Sequence, residues 1–97
     1  MATYIVLANF TEQGIRNVKD SPKRAEAFKE AARKFGVTVK DLYWTLGRYD
    51  LVVTVEGPDD PSVTALELAL GSMGNVRTQT LRAFGAEEMK QIVGRIA

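Results

Sequence analysis

The chain has 97 residues, of which 45% are apolar and 26% charged, and its 13 basic and 12 acidic residues give a formal charge of +1. A single core is expected at this length, so we predict one domain over residues 1–97. The charge lacks the basic excess that nucleic-acid binding needs, and no apolar run approaches the roughly 20 residues of a membrane span. The sequence has no cysteine and no histidine. It therefore excludes disulfides, thiol nucleophiles, imidazole metal ligands and a Ser-His-Asp triad, and we expect neither a metal nor a cofactor.

The N-terminal segment predicts a strand rather than a targeting signal. Residues 3–10 read TYIVLANF and are rich in β-branched and aromatic side chains, which is typical of a central strand buried on both faces. The segment lacks the charged leader and the long apolar core of a signal peptide. We therefore expect a cytoplasmic protein.

A helical region in two pieces follows. Thr11 can cap a first short segment, and Ser21-Pro22 is typical of an N-cap followed by proline at the first helical position, so we expect a kink near Asp20 to Pro22. Gly36 ends the second piece. The second piece has one apolar stripe at spacings of three and four, formed by Ala25, Phe28, Ala32 and Phe35.

Residues 39–56 predict a hairpin with a two-residue turn at Gly47-Arg48, where glycine suits a type II′ turn. This register makes one face of the hairpin uniformly apolar, and a slip of one residue would destroy that segregation. The predicted pairs are Leu46 with Tyr49, Trp44 with Leu51, and Leu42 with Val53.

Two helices and a strand complete the chain. Asp60 followed by Pro61 predicts the start of a helix, and residues 76–84, VRTQTLRAF, predict the fourth strand. A last helix is expected from about residue 86 to 96. The apolar stripe of the first of these helices contains Leu66, Ala69, Leu70 and Met73, and that of the second contains Met89, Ile92, Val93 and Ile96.

The order β-α-β-β-α-β with an added C-terminal helix predicts a ferredoxin-like α+β fold, with two helices on one face of a four-stranded antiparallel sheet. The other face, called the open face below, would present Val52 and Tyr43, and we expect Tyr4, Val6 and Phe10 there as well. Such a face is too apolar to remain exposed to solvent on a small protein. A second copy packed sheet to sheet would cover it and form a dimeric α/β barrel, so we predict a homodimer or a higher homo-oligomer.

The hairpin sequence LGRYDLVVTVEGPDD, with its Gly47-x-Tyr49-Asp50 core, resembles the signature of the GYD-domain family. The segments TEQG, SPKR and GNVRTQTLRAFGAEE are similar to that family too, and the resemblance runs from about Tyr4 to Ile96. It implies a dimeric α/β-barrel protein from a family without a settled biochemical function. The wider superfamily contains cofactor-free monooxygenases, haem enzymes, isomerases and ligand-sensing domains, so the fold does not imply one chemistry.

The polar candidates lie on two strands. Asp50, beside the turn, is either a strand-end carboxylate that bonds the turn or an arginine, or a cavity carboxylate that binds a ligand or accepts a proton. The alternating side chains of the fourth strand are either ordinary strand residues or hydroxyl and cationic groups for a carboxylate or phenolate ligand. Sequence parity does not say whether the two sets share a face. The predicted ligand-binding residues are Tyr4, Asp50, Thr78, Thr80 and Arg82, with Asp50 also the candidate catalytic residue.

Three functions are compatible with these features. The first is a dimeric module that binds a small, partly apolar ligand between its sheets. The second is a cofactor-independent monooxygenase or isomerase in which Asp50 or a tyrosine handles the proton. The third is a structural module in which the last helix packs on its own sheet or on a neighbouring subunit. RNA binding is rejected, because the third strand, YDLVVTVE, is aliphatic and acidic and lacks exposed stacking aromatics and basic residues.

Overall fold

Every strand and helix predicted from the sequence is present in the computed structural model of the chain, which describes residues 1–96. The ferredoxin-like α+β prediction, with its added C-terminal helix, is therefore confirmed. In chain order the elements are β1 (Ala2–Phe10), α1 (Glu12–Arg16), a 3₁₀ turn (Val18–Asp20), α2 (Ser21–Lys34), β2 (Thr38–Trp44), β3 (Leu51–Gly57), α3 (Asp60–Ser72), β4 (Val76–Ala83) and α4 (Ala86–Val93).

The strands form one antiparallel sheet in the order β2-β3-β1-β4, so β1 is central as predicted and β4 lies at an edge. Helix α2 packs over β2, and α3 packs over β3 and β4. Both helices cover the same face, because Phe28 of α2 and Leu66 of α3 share one core cluster with Val53 and Val55 of β3. The opposite face of the sheet is the open face.

The side of β1 that faces the helices differs from the prediction. Tyr4 pairs with Val55 and Val6 pairs with Val53, so Tyr4, Val6 and Phe10 lie on the helix-covered face and the prediction that they line the open face is wrong. The physical reason is that β1 is apolar on both sides, so its alternation does not distinguish them. The β1 side chains on the open face are Thr3, Ile5, Leu7 and Asn9.

The hairpin has the predicted register. Leu42 pairs with Val53 and Trp44 with Leu51, but the last ladder hydrogen bond runs from the amide of Thr45 to the carbonyl of Asp50 at 2.8 Å. The connection is thus wider than the predicted two-residue turn and includes Leu46–Tyr49. Gly47 has a φ of 110°, which an L side chain rarely adopts.

A break in the register between Val39 and Asp41 marks a bulge at Lys40. The extra residue lets Val39 and Leu42 both face the core although they are three positions apart. Tyr43 and Val52 pair directly and lie on the open face, as expected.

The helix starts follow the sequence to within one residue. Thr11 caps α1 by accepting a hydrogen bond from the Gly14 amide at 3.0 Å, while Ser21 is the first residue of α2 rather than its cap. Asp59, and not Asp60 as predicted, caps α3, since its Oδ1 accepts from the Ser62 amide at 2.9 Å. Asp60 is the first residue of α3, which leaves its carboxylate free for another contact.

Candidate functional site

Four of the five predicted ligand-binding residues meet under α3. In the ladder between β1 and β4, Tyr4 pairs with Arg82, Val6 with Thr80 and Ala8 with Thr78, so Tyr4, Thr78, Thr80 and Arg82 share the helix-covered face. These side chains line a cavity of about 370 Å³ between the sheet and α3, together with Asp60, Glu67 and neighbouring apolar residues of α3. It is called the α3 cavity below.

One end of the α3 cavity is built around Tyr4. Its hydroxyl donates a hydrogen bond to Asp60 Oδ1, and this bond is the main reason why the pKa of Tyr4 lies above its usual value, with burial adding to it. The Arg82 guanidinium stacks 5.6 Å from the centre of the Tyr4 ring and 4.5 Å from that of Phe84. Arg82 also lies 3.3 Å from Glu88 Oε2. Tyr4 and Arg82 are thus both held by partners.

Glu67 occupies the inner wall of the α3 cavity. The residue is only 9% exposed. Thr80 Oγ1 donates to its Oε2 at 3.3 Å, whereas its buried Oε1 has no hydrogen-bond partner among residues 1–96. Burial raises the pKa of the Glu67 carboxyl, and the nearby hydroxyls of Thr80 and Thr78 oppose that shift.

Glu67 is not among the residues predicted from the sequence, although the sequence contains a signal for it. Val63, Leu66, Glu67 and Leu70 follow the i, i+3, i+4, i+7 spacing of a core-facing stripe, and the structure buries Val63, Leu66 and Glu67. The predicted stripe instead included Ala69 and Met73, and both are exposed. A carboxylate within an apolar stripe is the pattern that could have located it.

Asp50 lies apart from the α3 cavity. Its Oδ2 accepts a hydrogen bond from the Phe10 amide at 2.8 Å, and its own amide donates to the Ala8 carbonyl at 2.9 Å. Phe10 and Tyr4 are six residues apart on one strand, which corresponds to roughly 20 Å. Asp50 therefore ties the hairpin connection to the far end of β1 and does not meet the other four candidates.

A second cavity of about 300 Å³ lies between α2 and α3 above the middle of the sheet. Its walls are almost wholly apolar and include Phe28, Leu42, Leu66, Leu70 and Met73. It offers volume for a hydrocarbon but few groups that could orient a polar ligand.

Among the described residues, no group of three or more potential metal-ligating side chains comes together. None of the helices within residues 1–96 has the length and apolar character needed to cross a membrane.

The comparisons with known proteins agree with the fold. A relative from Thermus thermophilus, named glutamine synthetase and cystathionine beta-lyase binding protein, is 39% identical over 90 residues, which are 92% of this chain and 95% of the relative. The crystal structure of a protein from the same organism matches with a TM-score of 0.56 and 30% identity, covering 89% of this chain and 96% of the other. The family model of the GYD domain matches residues 4–93. Because these matches span nearly the whole sequence, the chain belongs to the GYD domain family.

Proposed function

We propose that this protein is a homodimeric binding module, in which two copies pair through their open faces and α4 docks on a partner enzyme. The observation that carries the proposal is the open face itself. Ile5, Leu7 and Val52 lie there partly exposed, and Tyr43 and Leu81 are 61% and 41% exposed. Apolar side chains grouped in this way on a small protein mark an interface.

A second copy is the occupant that fits this face best. The centre of the face is apolar, and charged residues lie around it, including Asp41, Glu56 and Arg77, which is the usual layout of a protein interface. Two twisted sheets pack well face to face at about 10 Å. A twofold contact uses the same surface twice, so the chain supplies its own complement.

Helix α4 supports a further contact with another protein. Every residue of α4 except Glu88 is exposed, and Met89, Ile92 and Val93 form an apolar stripe on it. Phe84, just before the helix, is exposed as well. A helix of eight residues is marginally stable alone in water, so docking would stabilise it. The name of the Thermus relative, a binding protein for two enzymes, supports a metabolic enzyme as the partner.

The partner contact can be tested with glutamine synthetase and cystathionine beta-lyase from the organism that encodes this chain. We expect the full chain to bind at least one of them in biolayer interferometry. Met89→Ser should weaken binding at least about tenfold, because burying a side chain of this size contributes roughly 1.5–3 kcal/mol. Lys90→Ser, a change at a more exposed position beside the stripe, should leave the affinity unchanged.

Removal of residues 86–97 separates the two parts of the proposal. The shortened chain should remain a dimer and lose enzyme binding. A shortened chain that is monomeric would show instead that α4 serves self-association, which is the purely structural function. Undiminished enzyme binding by the shortened chain would contradict the role of α4.

Binding of a small ligand is the second candidate function, and the α3 cavity favours it. We place the site of such a ligand under the helices rather than between two sheets, because four of the candidate residues face α3. A cofactor-independent monooxygenase or isomerase has less support, since one oxygen of Asp50 is already bonded to a backbone amide. This bond argues against proton transfer by Asp50, so we rank binding of a small ligand above catalysis.

A further inference from the structure

The α3 cavity contains a carboxylate that the fold does not need. Glu67 lies within the core-facing stripe of α3, beside Leu66 and one turn after Val63, where an apolar side chain would pack without a desolvation cost. Its Oε2 is bonded to Thr80, but the buried Oε1 has no partner among residues 1–96. Buried carboxylate oxygens are normally hydrogen-bonded, so this atom points to a ligand with a donor group.

The remaining polar atoms of the cavity favour a cationic donor. Asp60 and Glu67 supply carboxylate oxygens, and Thr78 and Thr80 supply hydroxyl oxygens that can accept. The cation at the mouth, Arg82, is already bonded to Glu88 Oε2 and to the Thr3 carbonyl, each at 3.3 Å. The cavity therefore has more free acceptors than free donors.

We propose that the α3 cavity binds the ammonium group of a small primary amine, with Glu67 as its counter-ion and the hydroxyls of Thr78 and Thr80 as further acceptors. An ammonium group has three N–H donors and carries the charge that an ionised carboxylate needs beside it. Val63 and Leu68 give the cavity an apolar wall for a short hydrocarbon chain. The volume of about 370 Å³ falls in the range of small-ligand sites.

This inference goes beyond the protein-binding role and rests on the small-ligand candidate. It also predicts a pH dependence, because only ionised Glu67 attracts an ammonium group. Since burial raises the pKa of Glu67, binding of the ammonium group should weaken as the pH falls through the pKa that Glu67 has in the folded protein. The other titratable groups lining the cavity are Tyr4 of β1, Asp60 of α3 and Arg82 of β4.

The experiment uses three four-carbon probes of similar size, n-butylammonium, butyrate and butyramide. Thermal-shift assays and NMR titrations follow their binding to the wild type, Glu67→Gln and Glu26→Gln. Glu67→Gln keeps the side-chain length and removes the charge, while Glu26→Gln removes one charge from an exposed position on α2. Far-UV circular dichroism checks that each variant is folded, and Thr80→Val tests the site a second time through the hydroxyl that holds Glu67.

We expect n-butylammonium alone to stabilise the wild type and to shift the amide resonances of Thr78 and Thr80. Glu67→Gln should lower its affinity at least about tenfold, in line with the loss of a charged hydrogen bond, Thr80→Val should lower it less, and Glu26→Gln should leave it unchanged. Binding of butyrate or butyramide in place of the amine would overturn the ammonium assignment and leave the small-ligand function standing. If no probe shifts these resonances, the ammonium assignment and the small-ligand function are both contradicted.

Discussion

At the level of single residues, Glu67 places a polar group in the core at a cost in stability. Its carboxylate is buried beneath α3 with a single hydrogen bond, from Thr80. A buried carboxylate with too few partners destabilises the folded state whenever it is ionised. The folded protein should therefore be more stable without this charge.

We expect Glu67→Gln to raise the free energy of unfolding near pH 7 by on the order of 1 kcal/mol. Burial raises the pKa of Glu67 above its unfolded value of 4.5, so the folded wild type holds this proton more tightly than the unfolded chain. The stability of the wild type then falls as the pH rises from 4.5 through the pKa of the folded state, and the glutamine variant lacks this loss. Urea denaturation of both proteins at several pH values measures the difference.

The gain in stability from Glu67→Gln should be absent below pH 4.5, the unfolded pKa of Glu67. It should grow between that pH and the pKa of Glu67 in the folded state, and stay constant at higher pH. Glu26→Gln, an exposed change, provides the control and should show no comparable trend. A difference between Glu67→Gln and wild type that is the same at every pH would contradict the account of a buried, ionisable Glu67.

The contacts of individual side chains were the features least predictable from the sequence. Thr78, Thr80 and Arg82 could be placed on one face because strand alternation is local. Whether Tyr4 or Asp50 shares that face depends on the pairing of β1 with β3 and β4, which local patterns do not encode. Similarly, Asp60 accepts a hydrogen bond from Tyr4 across 56 positions, and no helix-start signal contains that information.

At the level of elements, α1 is held close to the turn that precedes β4. Gly14 is buried, and a Cβ at this position would lie 1.9 Å from the Asn75 carbonyl oxygen. That carbonyl accepts a hydrogen bond from the Thr11 amide at 3.1 Å, so it has little freedom to move. Glycine is needed here for close approach rather than for an unusual backbone conformation.

Gly14→Ala should lower the free energy of unfolding by roughly 1–3 kcal/mol, as expected for overpacking. Gly71→Ala is the matched control, because Gly71 lies in α3 and a Cβ there would meet nothing within 4 Å. This second change should stabilise the protein by about 0.5–1 kcal/mol through helix propensity. Chemical denaturation measures both, and a Gly14→Ala protein as stable as the wild type would contradict the close contact.

The elements themselves were largely predictable because their signals are local. Alternation fixed the hairpin register through the pairs Leu42–Val53 and Trp44–Leu51, and cap-and-proline patterns located α2 and α3. The errors are equally local in origin. Asp59 and Asp60 are adjacent and either can cap a helix, and glycine at position 47 is compatible with turns of more than one length.

At the level of the whole molecule, a single copy of the chain leaves two apolar surfaces exposed to water, the open face and the apolar stripe of α4. Its longest dimension is 52 Å and its shortest 18 Å, so it is a thin layer of one sheet with helices on one side. A single layer of helices can cover only one face of a sheet. Pairing of two open faces would give each sheet a second apolar layer, and α4 would remain available at the edge for another protein.

The pairing of open faces is tested most directly by the mass of the protein in solution. Sedimentation velocity should give the wild type twice the 10.7 kDa mass of one chain. Leu81→Arg places a charge on the open face, where Leu81 is 41% exposed, and should yield a folded monomer, because two such charges would be buried between the sheets. Leu46→Arg, the same change at a fully exposed loop position, should remain a dimer. A wild type that is monomeric, or a Leu81→Arg protein that stays dimeric, would contradict the proposed interface.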